Sequence, residues 1–207
     1  MLGFNKFMPN TKTIGYQGII DSSAQKLNLH PTVFERLSQL TPQFFFVIGE
    51  ALIDQFKEFD YDINVNAGPS FRYNYLWDER QHRKDLNILT ILVSLPISFE
   101  ESNSILDLLN KTLKLLPSNL SVKVRVKCHP TYNPSKIKQL NKINDKRIKF
   151  VQGSFISYIY DSNLLISGAS TTCIEAMSIG VPVVVSGTKV GVMNISIPNS
   201  IPDDLYK

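Results

Sequence analysis

The run from Leu164 to Val185, LLISGASTTCIEAMSIGVPVVV, constrains the fold of this chain more than any other segment. An apolar stretch passes into small residues and three consecutive hydroxyl side chains, Ser170, Thr171 and Thr172, which open a short helix. Gly180 and Pro182 stop that helix, and the β-branched Val183, Val184 and Val185 begin a second strand. At the head of such a helix the backbone N–H groups lack intrahelical partners. Small hydroxyl residues add donors there without the bulk that would exclude a phosphate, so the segment reads as an anion site. The same hydroxyls suit an ordinary N-cap, and the two roles coexist. Glu175 follows within about one turn, which puts its carboxylate near the same end and in reach of sugar hydroxyls; a first-turn acid favoured by the helix dipole is the structural alternative.

Upstream, Val122-Lys123-Val124-Arg125-Val126-Lys127-Cys128 alternates as a strand does and ends in His129-Pro130. An imidazole at the carboxyl edge of a parallel sheet, with a proline directing the chain out of the strand, lies where open α/β folds place their ligands. The two pieces are therefore expected to face one cleft, with His129 donating to a phosphate oxygen. Further strands are predicted at 13–17, 44–48, 63–66, 88–95, 148–151, 164–167 and 182–186, and helices at 32–40, 50–59, 100–116 and 135–143. Pro96, Ile97 and Ser98 end the 88–95 strand at the level where the cleft should open, as a contact or as a plain strand-to-helix turn. Strand and helix alternate, so the expected class is α/β, a parallel sheet with helices on both faces.

A hydrophobic content of 43% over 207 residues is ample for a core. The net charge of +4 comes mostly from residues 123–149, where Asn, Ile and Leu interleave with Lys and Arg. A solvated helix face accounts for that bias, with an anionic donor or a membrane surface as the functional readings. Basic and aromatic residues do not interleave on one predicted sheet, so nucleic acid is not an expected partner. No apolar run reaches the roughly 18 residues a bilayer span needs, and residues 1–12 lack signal-peptide order, so the expected location is cytoplasmic. Cys128 and Cys173 have no metal-type spacing and are read as reduced thiols buried inside regular elements; His30 and His82 are read as surface residues. The absence of a Ser/His/Asp arrangement, clustered metal ligands or a Walker-type loop argues against hydrolase, metalloenzyme and common kinase readings.

His-Pro at one strand end, with a Ser-Thr-Thr helix start and a Glu at a later one, resembles the nucleotide-sugar half of GT-B glycosyltransferases. The resemblance is to bacterial surface-polysaccharide enzymes of the capsule, O-antigen and sialyltransferase-like type. It extends to Gly15-Tyr16-Gln17-Gly18, to FFFVIGE at 44–50 and to AGPSFRY at 67–73, segments that in that family end the acceptor-side domain and lead into the donor side. Relatives commonly carry a His after the Gln; here Gly18 follows Gln17, and no catalytic or ligand role is assigned there. The resemblance implies a Rossmann-like donor domain that holds a nucleotide sugar through His129, Pro130, Gly153, Ser154, Ser170, Thr171, Thr172 and Glu175. In it, the turn at Gly153 and Ser154 offers backbone groups to the nucleobase and Glu175 takes the ribose. His129 is the catalytic candidate, as stabiliser of the leaving phosphate. No metal or cofactor beyond the nucleotide-sugar substrate is implied, and no general base is assigned.

The same resemblance divides the chain into 1–67, the C-terminal part of an acceptor-side α/β domain, 68–84, an interdomain connection, and 85–207, the donor domain. The closing helices of that family are missing after Val185, so a partial chain is expected: a fragment, a split gene product, or a reduced relative that pairs with a separate acceptor-domain chain. The implied acceptor is a glycan or a lipid-linked sugar, and the implied location the cytoplasm, with peripheral association at the inner face of the membrane. Two other classes stay open. A nucleotide-sugar 2-epimerase shares the scaffold and a similar helix start but needs cleft carboxylates that the sequence does not place. The other is a non-catalytic nucleotide-binding or interaction module.

Overall fold

A computed structural model describes residues 2–8, 10–19, 30–78, 87–117, 119–132, 137, 143–168 and 170–186. His82, most of the predicted helix at 135–143, residues 79–84 of the predicted connection and the part of the predicted donor domain after 186 lie outside these residues. The chain divides into two compact units between Tyr75 and Leu76, a point within the predicted 68–84 connection.

The first unit contains helix α1 (Leu2–Phe7), strand β1 (Ile14–Gln17), helix α2 (Val33–Leu37), strand β2 (Phe44–Ile48), a 3-10 turn (Glu50–Leu52) running into helix α3 (Ile53–Phe56), and strand β3 (Val65–Gly68). The strands are parallel in the order β1-β2-β3. Val47, Leu52, Phe56, Ile63 and Val65 form the core of the unit, and excluding those side chains from water supplies its main stabilisation. Thr32 opens α2 through a reciprocal capping box with Glu35. The third strand lies two residues later than the predicted 63–66. The Ile63 N–H is held in a turn by the Asp60 carbonyl (3.3 Å), which keeps its backbone out of the ladder while its side chain still enters the core. His30 is not a surface residue: only 4% exposed, its ring packs against Phe56 (5.0 Å) and Phe59 (6.3 Å), because α3 brings aromatic side chains over the chain entering α2. The Tyr16 hydroxyl donates to the Pro69 carbonyl (2.8 Å) and accepts from the Phe71 N–H (3.2 Å), pinning the 3-10 turn at Phe71–Tyr73.

Helix α4 (Tyr75–Asp78) straddles the division. The second unit then runs β4 (Leu89–Ser94), α5 (Phe99–Leu115), β5 (Val122–Lys127), β6 (Ile148–Val151), α6 (Ile156–Ile159), β7 (Leu164–Ser167), α7 (Thr171–Ser178) and β8 (Val183–Val185). Its five strands are all parallel, in the order β6-β5-β4-β7-β8. Chain order thus leaves β4 first to one side and then to the other, a Rossmann-like α/β arrangement.

Alternation along the strands decides which side chains meet which helix. Val122, Val124 and Val126 of β5 join Ile91 and Val93 of β4 under the α5 stripe Ile105, Leu106, Leu109 and Leu113. Period-2 geometry sends Lys123, Arg125 and Lys127 to the opposite face. Ser98 caps α5 by accepting from the Glu101 N–H (3.2 Å), and Glu100 and Glu101 in the first turn suit the helix dipole. At the far end the Arg147 guanidinium, paired with Asp145, donates to the Leu113 carbonyl (2.8 Å); that guanidinium holds the Asp145 carboxyl below its usual pKa. Helix α7 ends as Gly180 and Pro182 suggest. Gly180 takes a positive φ of 76°, its N–H bonds the Met177 carbonyl (2.9 Å) and the Val181 N–H bonds that of Ala176 (2.9 Å), the paired closure of a Schellman motif.

Candidate functional site

Because the chain leaves β4 in both directions, the topological switch point falls between β4 and β7, where open parallel sheets take their ligands. The loop before α5 and the turn before α7 flank that crevice. His129 follows β5, one strand further along the same carboxyl edge, and Gly153 and Ser154 follow β6. At about 4.8 Å per strand, the edge from β6 to β7 spans roughly 14 Å. All the sequence-predicted site residues stand on this edge or in the helix that leaves it.

A tight turn closes the exit from β5. The Tyr132 N–H donates to the His129 carbonyl (3.0 Å), and Pro130 occupies the second turn position, where its fixed φ is favourable. The same turn orients the imidazole. Its Nδ1 accepts from the Thr131 N–H (3.3 Å) and lies 2.8 Å from the Thr131 hydroxyl. With Nδ1 accepting, Nε2 carries the ring proton and is the donor His129 offers to a ligand. Tyr132 meets both the His129 ring and the Phe99 ring edge-on, each at 6.3 Å, so an aromatic row links this turn to the head of α5.

At the head of α7 the three hydroxyls separate into two roles. Ser170 is the N-cap, its Oγ accepting from the Thr172 N–H (3.4 Å) and the Thr172 hydroxyl (3.1 Å). Among the described residues the Thr171 hydroxyl and N–H have no acceptor, so Thr171 is the donor free for an anion. Glu175 is the fifth residue of the helix and only 8% exposed, drawn back along the helix rather than standing open at the edge. After β6, Gly153 adopts a φ of 112°, which favours glycine, and the Tyr158 hydroxyl donates to the Gln152 carbonyl (2.5 Å), folding α6 onto this turn; Ser154 is exposed. Cys128 lies just past the end of β5 and is half-buried, not inside the strand as predicted, because pairing stops at Lys127. Cys173 is buried in α7, and burial raises both thiol pKa values, so both stay protonated near neutral pH.

Two groups at this edge escaped the sequence reading. The Glu101 carboxylate lies where a side chain on Gly168 would begin: a Cβ built there meets the carboxylate and comes within 3.2 Å of Pro96 Cγ. The available signal was the S-x-x-E spacing of Ser98 and Glu101, which marks a helix start and conceals the reach of the acid into the crevice. Gly168→Ala is accordingly expected to destabilise the unit by at most about 1 kcal/mol, the low end for overpacking, because the atoms in the way are the far end of a flexible, half-buried Glu101 side chain. Most of that cost should disappear in a Glu101→Ala background; urea midpoints of the four proteins measure the coupling, and equal costs in both backgrounds would contradict the contact. The second group is Lys127, the last residue of β5. Lys123, Arg125 and Lys127 alternate along a predicted strand and carried no predicted role of their own, and of the three Lys127 is the buried one.

Among the described residues no helix is long and apolar enough to cross a membrane, and no three His, Cys, Asp or Glu side chains gather to hold a metal ion. The chain matches no protein-family model and no curated protein.

Proposed function

We propose that this chain is a glycosyltransferase, or part of one, that takes a nucleotide-sugar donor in bacterial surface-polysaccharide synthesis, on a GT-B scaffold. One observation carries the reading: the Nε2 donor of His129 and the N–H and hydroxyl of Thr171, which have no acceptor among the described residues, stand on the same carboxyl edge around the switch point of a parallel sheet. Donors aimed at the oxygen on which charge grows as the nucleotide departs stabilise the transition state more than the ground state, which assists transfer without a covalent intermediate. Pro130 sets the His129 turn, Ser170 and Thr172 shape the helix head, and Gly153 and Ser154 face the nucleobase; the ribose role that the resemblance implies for Glu175 is not kept, since that carboxylate is buried along the helix. The acceptor is a glycan or lipid-linked sugar, supplied by an acceptor-side domain or a separate chain at the inner face of the membrane.

Glu101 favours a second reading. A carboxylate at the crevice is what a nucleotide-sugar 2-epimerase needs to move the proton at carbon 2. Calorimetry with UDP, CDP, GDP and CMP against their nucleosides tests the shared nucleotide site: phosphate-bearing ligands should bind at least tenfold tighter, and equal affinity for nucleoside and nucleotide refutes it. Incubation of sugar nucleotides in deuterated water then separates the two chemistries, since deuterium at carbon 2 requires the epimerase and nucleotide release without exchange the transferase. Nucleotide binding with neither outcome assigns the chain to a binding module.

A further inference from the structure

We propose that the cleft between α6 and strands β5 and β6 is a further anion site, one that holds the phosphoryl group of a ligand other than the donor nucleotide. The inference goes beyond the nucleotide-site reading and does not depend on it. The cleft has a volume of about 340 Å³ and is lined by Lys123 and Arg125 of β5, Lys149 of β6, Tyr158 of α6 and Asp161. That size suits a small ligand or a headgroup. The two lining side chains of β5 lie on the sheet face opposite α5, and neither His129 nor Thr171 belongs to the walls.

Register gathers the charges. Arg125 pairs with Lys149 across β5 and β6, and Lys123 stands two residues before Arg125, so alternation turns all three to one face. Their backbone positions lie about 5 Å apart across the strands and roughly 7 Å apart along them. Like charges directly opposite on neighbouring strands destabilise a sheet, and an anion seated between them removes that cost. Arg125 is already oriented. Its guanidinium donates to the Asp161 carbonyl (3.4 Å) and lies over the Tyr158 ring at 5.8 Å, and the rest of the planar fork keeps further N–H donors. The Tyr158 hydroxyl is tied in turn to the Gln152 carbonyl, which fixes the ring. Lys123 and Lys149 are exposed and, among the described residues, have no ion pair, so both ammoniums can close on an incoming group. Asp161 brings the one carboxylate of the lining, against three cations. A carboxylate ligand would engage one fork, whereas a phosphoryl group offers three acceptor oxygens to a fork and two point charges together, and this match favours phosphate.

Lys123→Met combined with Lys149→Met removes two charges from exposed stems and leaves Arg125 and its packing in place. Inorganic pyrophosphate is titrated into the full chain while amide chemical shifts are read residue by residue, so that this cleft and the His129 edge report separately. In the wild type the amides of residues 123–125 and 149–151 should move. The double variant should bind there about tenfold more weakly, whereas His129→Ala should bind there as wild type does, and added sodium chloride should weaken the binding. Cosedimentation with phosphatidic acid vesicles, against phosphatidylcholine vesicles, identifies the source of the phosphate. Vesicle binding that the double variant loses assigns a lipid headgroup, and pyrophosphate binding without vesicle binding assigns a soluble phosphate compound. Amides of β5 and β6 that do not respond in the wild type, or an unchanged affinity at the cleft in the double variant, overturn the proposal and leave the His129 site standing.

Discussion

His129→Ala is expected to weaken binding of the preferred nucleoside diphosphate ten- to a hundredfold while leaving affinity for the nucleoside unchanged. The loss is that of one hydrogen bond to a charged oxygen, about 1.5–3 kcal/mol. Selectivity between ligands is the informative part. The imidazole is oriented by the Thr131 N–H at 3.3 Å and hydroxyl at 2.8 Å, so its free nitrogen presents a directed donor and not a diffuse charge. Thr131→Val removes only the hydroxyl and should cost less than His129→Ala. Calorimetry on both variants checks the order; a His129→Ala protein that binds the diphosphate as wild type does removes His129 from the site.

Leu106→Ala is expected to carry the largest stability effect, about 2–5 kcal/mol, from the lost transfer of its methyl and methylene groups plus the cavity they leave. Leu106 is fully buried (0% exposed) in the cluster that joins α5 to β4 and β5, whereas Leu108 on the same helix is 51% exposed. Leu108→Ala should stay within about 0.5 kcal/mol, the ordinary range for a surface change. Urea midpoints followed by far-ultraviolet circular dichroism compare the two. Equal shifts would mean that the packing of α5 onto the sheet is not what stabilises the second unit.

Period-2 and period-3.6 patterns made most elements legible. The strands at 148–151 and 164–167 stand where alternation put them, and the long helix agrees with its predicted bounds to one residue at each end. Ser170 and Gly180 marked helix ends correctly because capping is local chemistry: one side chain or one positive φ satisfies groups within a turn of it. The shorter elements were less legible. The strand at Val65–Gly68 was displaced by a turn bond at Ile63, and His30 was buried by aromatic side chains of the helix after β2, neither of which any local pattern encodes.

By itself, then, the sequence determined an α/β chain of alternating strands and helices, with a His-Pro turn and a hydroxyl-rich helix head as its polar landmarks. Only the tertiary structure decided which strands are neighbours, and therefore that β4 lies between those two landmarks with the switch-point crevice beside it. It also decided that Ser170 and Thr172 bond each other while Thr171 has no acceptor among the described residues, that Glu101 reaches the turn at Gly168, and that Lys127 is buried where Lys123 is exposed. The physical reason is the range of the interactions. Periodicity and capping act within a few residues, whereas strand order, cross-strand register and the burial of a charged side chain depend on segments far apart in the chain, which meet only after the sheet is assembled.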